Sequence, residues 1–172
     1  MLIEKPLSAS RITVRNYQRA DLPLLTSMWF DYENGKYLSD PTQEYVDSVY
    51  LAALDSLEDN PNGYYLTVTL NASGQTIGSC FIFPDSKNES FEIGYCIHKD
   101  FWGMGFGKEL VSLLIDWVRE HGGIEITAEA ANENTVSNQL LKNAGFKVVR
   151  ESTFKKYNMD ICYQSTCYSL RF

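Results

Sequence analysis

The 172-residue sequence lacks the marks of several protein classes. It has only two histidines, and its four cysteines contain no C-x-x-C pair, so we expect no metal site and no disulfide framework. Residues 1–10 lack the basic and apolar segments of a signal peptide, and no apolar run approaches the roughly 18 residues of a membrane span. We therefore expect a cytoplasmic protein with reduced thiols and no membrane partner.

Positive charge is also scarce. The chain has 15 Lys and Arg against 22 Asp and Glu, a net charge of -7 at pH 7. The excess lies between residues 31 and 60, where eight acidic residues accompany only one basic residue, Lys36. Proteins that bind a phosphate backbone carry basic patches, so we expect no nucleic-acid partner. The acidic segment favours a cationic partner, although from charge alone a solvated acidic helix face kept for solubility is the more ordinary explanation.

Hydrophobic residues make up 44% of the sequence, and no linker or repeat divides it, which predicts a single domain over residues 1–172. A first strand is predicted at 11–15, and apolar residues then recur at helical spacing over 21–29 and 41–54. Asp40 is the expected N-cap of the second helix, because Pro41 follows it and proline suits the first helical position. Strands are then predicted in an antiparallel meander at 64–70, 76–83 and 91–97.

The pattern after the meander alternates between helix and strand. Helices at 108–121 and 135–143 flank a strand at 124–130, an arrangement that indicates a right-handed parallel crossover. Two closing strands follow, at 146–150 and 162–170, and the last of them could pair between subunits of a homodimer if the protein is not a monomer. The predicted class is α+β, with a mixed, mostly antiparallel sheet, a central strand-helix-strand parallel crossover and flanking helices.

A glycine-rich turn joins the predicted strand at 91–97 to the helix that follows it. Glycine stands at alternate positions, Gly103, Gly105 and Gly107, just before Lys108. Backbone N–H groups at the positive end of a helix dipole form a site for phosphate or diphosphate, and glycine lets the chain approach such a ligand. The spacing matches neither the dinucleotide fingerprint nor the ATP loop, so NAD and ATP are not expected.

This turn and the segment Asn134-Thr135-Val136-Ser137-Asn138-Gln139-Leu140-Leu141-Lys142-Asn143-Ala144-Gly145-Phe146 together resemble the Gcn5-related N-acetyltransferase (GNAT) superfamily. The likeness is strongest to the branch that acetylates ribosomal-protein N-termini. It extends from about residue 11 to residue 172 and implies that family's fold and its cosubstrate, acetyl-CoA. One departure is that Trp102 stands where the superfamily pattern has Gln or Arg.

The resemblance also implies a set of cofactor contacts. Backbone amides of the turn would hold the diphosphate of acetyl-CoA, and the end of the preceding strand would bind the pantetheine arm. The residues implied in cofactor binding are Cys96, Ile97, Trp102, Gly103, Met104, Gly105, Phe106, Gly107, Lys108 and Asn134.

Acetyl transfer to an amine requires a base for the amine and a proton for the departing thiolate. Glu92 is the candidate base because it is the one carboxylate of an otherwise apolar strand, although a solvated, outward-facing position explains it equally well. Many superfamily members carry a tyrosine on the helix after Asn-x-x-Ser, where this chain has leucines. Ser137 is therefore the candidate acid, while Asn134 and Ser137 also suit an ordinary helix start.

The acceptor is expected to bind in the N-terminal helical part. Trp29, Tyr32 and Tyr37, with Asp31 and Glu33 among them, form an aromatic and acidic cluster that could bind a cationic amine. Packing in the core is the alternative explanation for these aromatic residues.

The sequence thus predicts an acetyl-CoA-dependent N-acetyltransferase. The acceptor would be a primary amine, either a protein N-terminus or a small cationic molecule, and transfer would be direct, within a ternary complex. Because the usual tyrosine is missing, a catalytically idle acyl-CoA-binding module with a sensing or partner-recruiting role is the alternative. A nucleotide-phosphate binder is a third possibility.

Overall fold

Eight strands form one sheet in the computed structural model, which describes residues 1–172. The strands are β1 (Leu7–Ser8), β2 (Ile12–Asn16), β3 (Tyr64–Leu70), β4 (Thr76–Pro84), β5 (Ser90–Ile97), β6 (Glu125–Ala131), β7 (Lys147–Lys155) and β8 (Cys162–Arg171). The helices are α1 (Leu22–Trp29), α2 (Ser48–Asp55), α3 (Phe106–Glu120) and α4 (Thr135–Asn143). The strand order is β1-β2-β3-β4-β5-β6-β8-β7, and only β5 and β6 are parallel. The predicted α+β class is confirmed.

Helices cover both faces of the sheet. On one face α3 contacts β1, β2 and β5, and α4 contacts β6. The apolar stripe of α3 includes Leu110, Leu114 and Val118, none of which is exposed to solvent, and each such side chain contributes about 1.5–3 kcal/mol on burial. On the other face α1 contacts β4. This packing fixes the N-terminal end of α3 relative to β5.

The sheet divides between its two parallel strands. Pairing between β5 and β6 is limited to Ser90–Glu92 opposite Glu125–Thr127. Beyond Glu92, β5 continues along β4 to Ile97, while β6 continues along β8 to Ala131. The two halves of the sheet therefore separate after Glu92, and the facing edges of β5 and β6 have no strand partner there. We call this gap the β5–β6 opening.

The helix predicted over residues 41–54 is wrong in its first half. A short 3-10 turn occupies Gln43–Tyr45, and α2 begins only at Ser48. The N-cap is Asp47, whose carboxylate accepts a hydrogen bond from Tyr50 N at 2.8 Å. Asp40 is instead drawn into tertiary contacts, because its carboxylate accepts a hydrogen bond from the Tyr50 hydroxyl.

The pairing between subunits that the sequence analysis allowed for the last strand does not fit the structure. β8 lies between β6 and β7 of the same chain, and both of its edges are hydrogen-bonded. The edge strands of the sheet are β1, which is too short to show a sequence periodicity, and β7.

Candidate active site

The glycine turn adopts the backbone geometry that its composition favours. Gly103 and Gly105 have φ of +74° and +83°, in the left-handed region that penalises other residues. Gly105 is the N-cap of α3. None of the main-chain N–H groups from Gly103 to Lys108 donates a hydrogen bond to another protein atom. These free donors at a helix N-terminus form an anion site of the predicted kind.

Arg11 braces this turn, and no sequence motif indicated it. Its Nη1 donates to the carbonyl of Met104 at 2.9 Å, its Nε donates to Glu109 Oε2 at 2.8 Å, and its guanidinium lies 4.4 Å from the centre of the Phe106 ring. Burial opposes the ionisation of Glu109, but the hydrogen bonds from Arg11 outweigh it and lower the pKa of that carboxyl. The paired Glu109 carboxylate offsets the charge of Arg11, so the contribution of Arg11 is to hold the backbone of the turn in place.

Trp102 ties the turn to the end of β5. Its indole Nε1 donates to the carbonyl of Ile97 at 2.7 Å, and about half of its surface is exposed. The carbonyl of Ile97 is therefore already hydrogen-bonded. The thiol of Cys96 points to the other side of the strand, where Asn34 Nδ2 donates to it at 3.2 Å, and burial raises the pKa of that thiol to about 12.

A tyrosine bridges the β5–β6 opening. The hydroxyl of Tyr95 on β5 lies 2.8 Å from Ser137 Oγ on α4, and α4 packs on β6. Asn134 caps α4 by accepting a hydrogen bond from Ser137 N at 3.2 Å. Burial raises the pKa of Tyr95 to about 12, although the hydrogen bond to Ser137 opposes the shift. The tyrosine that is missing from α4 thus has a counterpart on β5, Tyr95, a position that no sequence pattern indicates as an acid.

Two carboxylates lie at the narrow end of the opening. Glu92 occupies the last position at which β5 and β6 pair, and Glu129 stands two residues after its partner, Thr127, on the same face of the sheet. The Glu92 side chain is exposed to solvent, as its alternative explanation predicted, but the desolvation it does experience and the negative charge of Glu129 both raise its pKa. That shift is in the direction that a general base for an amine requires.

A cavity of about 600 Å³ joins these groups. Its lining contains Glu92, Tyr95, Glu129, Asn134 and Ser137, together with an apolar wall from α1, α2, β3 and β4. The opening therefore connects the α3–α4 face of the sheet, where the glycine turn lies, to the α1–α2 face, which supplies the apolar wall of the cavity. Two reactants bound on opposite faces could meet at Glu92.

The structure brings together only part of the predicted acceptor cluster. Trp29 and Tyr37 line the cavity, but Tyr32 does not and is 77% exposed. Asp31 and Glu33 do not line it either, and both form ion pairs with Lys99, at 3.0 and 3.3 Å. Trp29, Tyr32 and Tyr37 are close in sequence, but only Trp29 and Tyr37 face the cavity.

The two histidines lie outside the cavity. His98 Nδ1 accepts a hydrogen bond from Asp100 N at 3.2 Å, and His121 stacks on Trp117 at 4.0 Å between ring centres. Both therefore have structural partners, in line with the absence of a catalytic assignment in the sequence analysis. No helix of the structure is both long enough and apolar enough to cross a bilayer.

Comparison with known proteins identifies the class. The family model described as the acetyltransferase (GNAT) domain matches residues 11–147. The chain therefore belongs to the GNAT acetyltransferase family, as the resemblance predicted. It is an acetyl-CoA-dependent N-acetyltransferase.

The relatives agree with this assignment. The chain is 29% identical to an uncharacterised N-acetyltransferase, p20, of Bacillus licheniformis over 157 residues, 88% of this chain and 86% of that protein. A GNAT-family acetyltransferase from Bacillus anthracis has the same fold, with a TM-score of 0.80, 16% identity and coverage of 97% of this chain and 98% of that one.

Two further solved structures share the fold at low identity. One is the spermidine N-acetyltransferase from Vibrio cholerae in complex with CoA and spermine, with a TM-score of 0.78, 18% identity and coverage of 95% and 96% of the two chains. The other is the ribosomal-protein-S5-alanine acetyltransferase from Vibrio fischeri, with a TM-score of 0.75, 16% identity and coverage of 98% and 97%.

Proposed function

We propose that this protein transfers the acetyl group of acetyl-CoA directly to a primary amine within a ternary complex. The observation that carries the proposal is the β5–β6 opening, which connects the glycine turn on one face of the sheet to the cavity on the other. Such a passage lets a thioester and an amine approach each other from opposite sides. Holding two reactants in this way removes much of the entropic barrier to their reaction.

The donor would bind along the α3–α4 face. The free N–H groups of Gly103 to Lys108, in a turn that Arg11 braces, would hold the diphosphate, because they combine hydrogen-bond donors with the positive end of the α3 dipole. A groove between α3 and α4, lined in part by Lys108, Ser112 and Gln139, would take the nucleotide end. The free edge of β5 near Cys96 and the α4 cap at Asn134 would contact the pantetheine arm.

Glu92 would act as the general base. Directly or through one water, it would accept a proton from the ammonium group, and the amine nitrogen would then attack the carbonyl carbon of the thioester. When the C–S bond breaks, Tyr95 would give its phenolic proton to the thiolate, and the second proton that the nitrogen loses on becoming an amide would return to Tyr95. Ser137 would hold that phenol in place through the 2.8 Å hydrogen bond.

Direct transfer is favoured over an acetyl-enzyme intermediate. Two cysteines, Cys80 and Cys96, line the cavity, and burial raises the pKa of both thiols, which makes the nucleophilic thiolate rare at neutral pH. The sulfur of Cys96 also accepts a hydrogen bond from Asn34. A ping-pong mechanism has no activated nucleophile in this cavity.

The test is a thermal-shift titration with acetyl-CoA and with CoA, followed on the same sample by thiol release against primary amines. The amines would include linear polyamines and peptides with free N-termini. A ligand at 100 times its Kd adds roughly 2.7 kcal/mol to native-state stability, which raises the melting temperature visibly. A shift with thiol release supports the proposal. A shift without release on any amine contradicts transfer to an amine, and no shift overturns the assignment of the glycine turn.

A further inference from the structure

One side of the cavity is built from aromatic rings. Phe81 and Phe83 stack with their ring centres 4.6 Å apart, and Tyr65 meets Phe83 edge-on at 5.4 Å. With Tyr17 and Trp29, these three residues line the cavity, and we call the five residues the aromatic wall. Phe83 is the direct neighbour of Glu92 across the β4–β5 pair. The aromatic wall therefore begins beside the proposed base.

Two glycines allow the rings to lie against the backbone. A Cβ atom on Gly94 would lie 2.2 Å from Phe81 Cε1, and a Cβ atom on Gly63 would lie 1.8 Å from Phe83 Cδ1. Any other residue at either position would push the ring away. The flat surface that Phe81 and Phe83 present to the cavity thus depends on glycine at two separate points of the chain.

The acidic segment does not supply this cavity with free carboxylates. Of the acids between residues 31 and 60, only Asp40 lines it, and the Asp40 carboxylate already accepts the Tyr50 hydroxyl. Burial also raises the pKa of Asp40. A linear polyamine needs a partner for each of its charges, because burying an unpaired ammonium group is costly. Glu92 and Glu129 offer negative charge at one end of the cavity only.

Tyr17 lines the same cavity and carries a hydroxyl without a partner. It is 4% exposed, and its hydroxyl is the one buried side-chain polar atom in the structure without a hydrogen-bond partner. Leaving such a group unpaired costs about 1–3 kcal/mol, so a bound molecule with a polar substituent would recover that energy. Burial raises the pKa of Tyr17, which keeps its hydroxyl protonated and able to donate or accept.

From these features we infer that the acceptor is a primary amine that carries an aromatic ring. Its ammonium group lies at Glu92, its ring packs on the aromatic wall, and a polar group on the ring meets the Tyr17 hydroxyl. This inference rests on the proposed function. The same chemistry is found in a small arylalkyl amine and in a peptide whose first residue is aromatic.

The experiment compares kcat/KM at saturating acetyl-CoA for amines that differ in one feature. Phenethylamine has an aromatic ring that hexylamine lacks, and tyramine differs from phenethylamine by one hydroxyl on that ring. Spermidine represents linear polyamines. Two short peptides, one beginning with Tyr and one with Ala, represent protein N-termini. We expect phenethylamine to exceed hexylamine and spermidine by at least tenfold, and tyramine to exceed phenethylamine by about tenfold. A Tyr-initiated peptide that outperforms tyramine assigns the acceptor to peptides, and the reverse assigns it to small amines.

Tyr17→Phe tests the hydroxyl contact without disturbing the packing, because that hydroxyl has no partner within the protein. We expect it to reduce the tyramine-to-phenethylamine ratio of kcat/KM to about one. Tyr45→Phe, at a tyrosine outside the cavity whose side chain makes no hydrogen bond, is the control and should keep the wild-type ratio. An acetyl-CoA thermal shift verifies that each variant is folded.

The results of these assays distinguish failure of the aromatic-acceptor inference from failure of the proposed function. Faster turnover of spermidine or hexylamine than of phenethylamine would overturn the aromatic acceptor while leaving amine acetylation intact. A ratio unaffected by Tyr17→Phe would remove Tyr17 from the acceptor site. Binding of acetyl-CoA without turnover of any amine would overturn both proposals.

Discussion

The hydroxyl of Tyr95 on β5 lies 2.8 Å from the hydroxyl of Ser137 on α4, and the hydrogen bond between them spans the β5–β6 opening. It links the strand that carries Glu92 to the helix that packs on β6. Burial raises the pKa of Tyr95 to about 12, so its phenol carries a proton at neutral pH. The departing thiolate is a weaker base than the Tyr95 phenolate, so the phenol can donate only if the phenolate regains a proton, which the nitrogen loses as the amide forms.

Replacing Tyr95 tests its role as the acid. Tyr95→Phe should lower kcat about 100-fold, because an acid in the transition state contributes on that order, while KM for acetyl-CoA changes little. Ser137→Ala, which only releases the phenol, should have a smaller effect. Initial rates over both substrates measure this. Tyr64→Phe, on the same face of the sheet and without a side-chain hydrogen bond, is the control, and equal kcat for the two Tyr→Phe variants would exclude Tyr95 as the acid.

The pH profile tests Glu92. A base acts only when ionised, so kcat/KM for the amine falls as the pH drops below the pKa of Glu92. Because Glu129 raises that pKa, Glu129→Gln should lower it and move the acidic limb to lower pH. Glu92→Gln should remove the limb and reduce kcat by 100-fold or so.

The amine substrate also ionises, and its ionisation affects the pH profile of kcat/KM equally for every variant measured with that amine. Glu120→Gln, at an exposed position at the end of α3, should retain the wild-type limb. An acidic limb that persists unchanged in Glu92→Gln would assign the base to another group.

Substitutions at two glycines with the same positive φ distinguish an effect on acetyl-CoA binding from an effect on folding stability. Gly105 and Gly122 have φ of +83° and +81°, and neither has a crowded Cβ position. Alanine at either position should cost about 1–2 kcal/mol of folding stability through backbone strain. Only Gly105→Ala should also weaken acetyl-CoA binding, by roughly tenfold, because it displaces N–H groups of the glycine turn. Calorimetric Kd values and urea unfolding test this, and equal Kd values for both variants would contradict the anion site.

Lys156 is a buried lysine that holds a loop of the cavity wall. Its Nζ donates to the carbonyls of Gly35, Leu38 and Asp40 at 2.8, 2.9 and 2.7 Å. Lys156→Met keeps the length of the side chain but leaves these carbonyls without their donor, so it should reduce the free energy of unfolding by about 3 kcal/mol. Urea unfolding measures it against Lys155→Met at the exposed neighbouring position. Equal stability of the two variants would show that the three hydrogen bonds contribute nothing.

Sequence patterns predicted the features that depend on neighbouring residues. The glycine turn, the parallel crossover and the meander are all encoded in local spacing, and the structure has them. Contacts between distant residues could not be predicted, since no periodicity relates Arg11 to Glu109 or Tyr95 to Ser137. A cytoplasmic location and the choice between monomer and homodimer stay predictions.

Two expectations based on local sequence, the N-cap at Asp40 and the position of Tyr32 beside the other aromatic residues, differ from the structure. Asp40 followed by Pro41 is a typical helix start, yet Tyr50 and Lys156 hold Asp40 in the loop before the helix. Tyr32 stands among other aromatic residues in the sequence, but it faces solvent because its position in the turn after α1 points away from the cavity.

The central claim is direct transfer across the β5–β6 opening, and an intact-mass measurement with initial-rate kinetics tests it most directly. Incubated with acetyl-CoA alone, the protein should keep its unmodified mass, and double-reciprocal plots with both substrates should intersect. An acetylated protein with the group on Cys96, together with parallel plots, would contradict direct transfer and make that buried thiol the nucleophile.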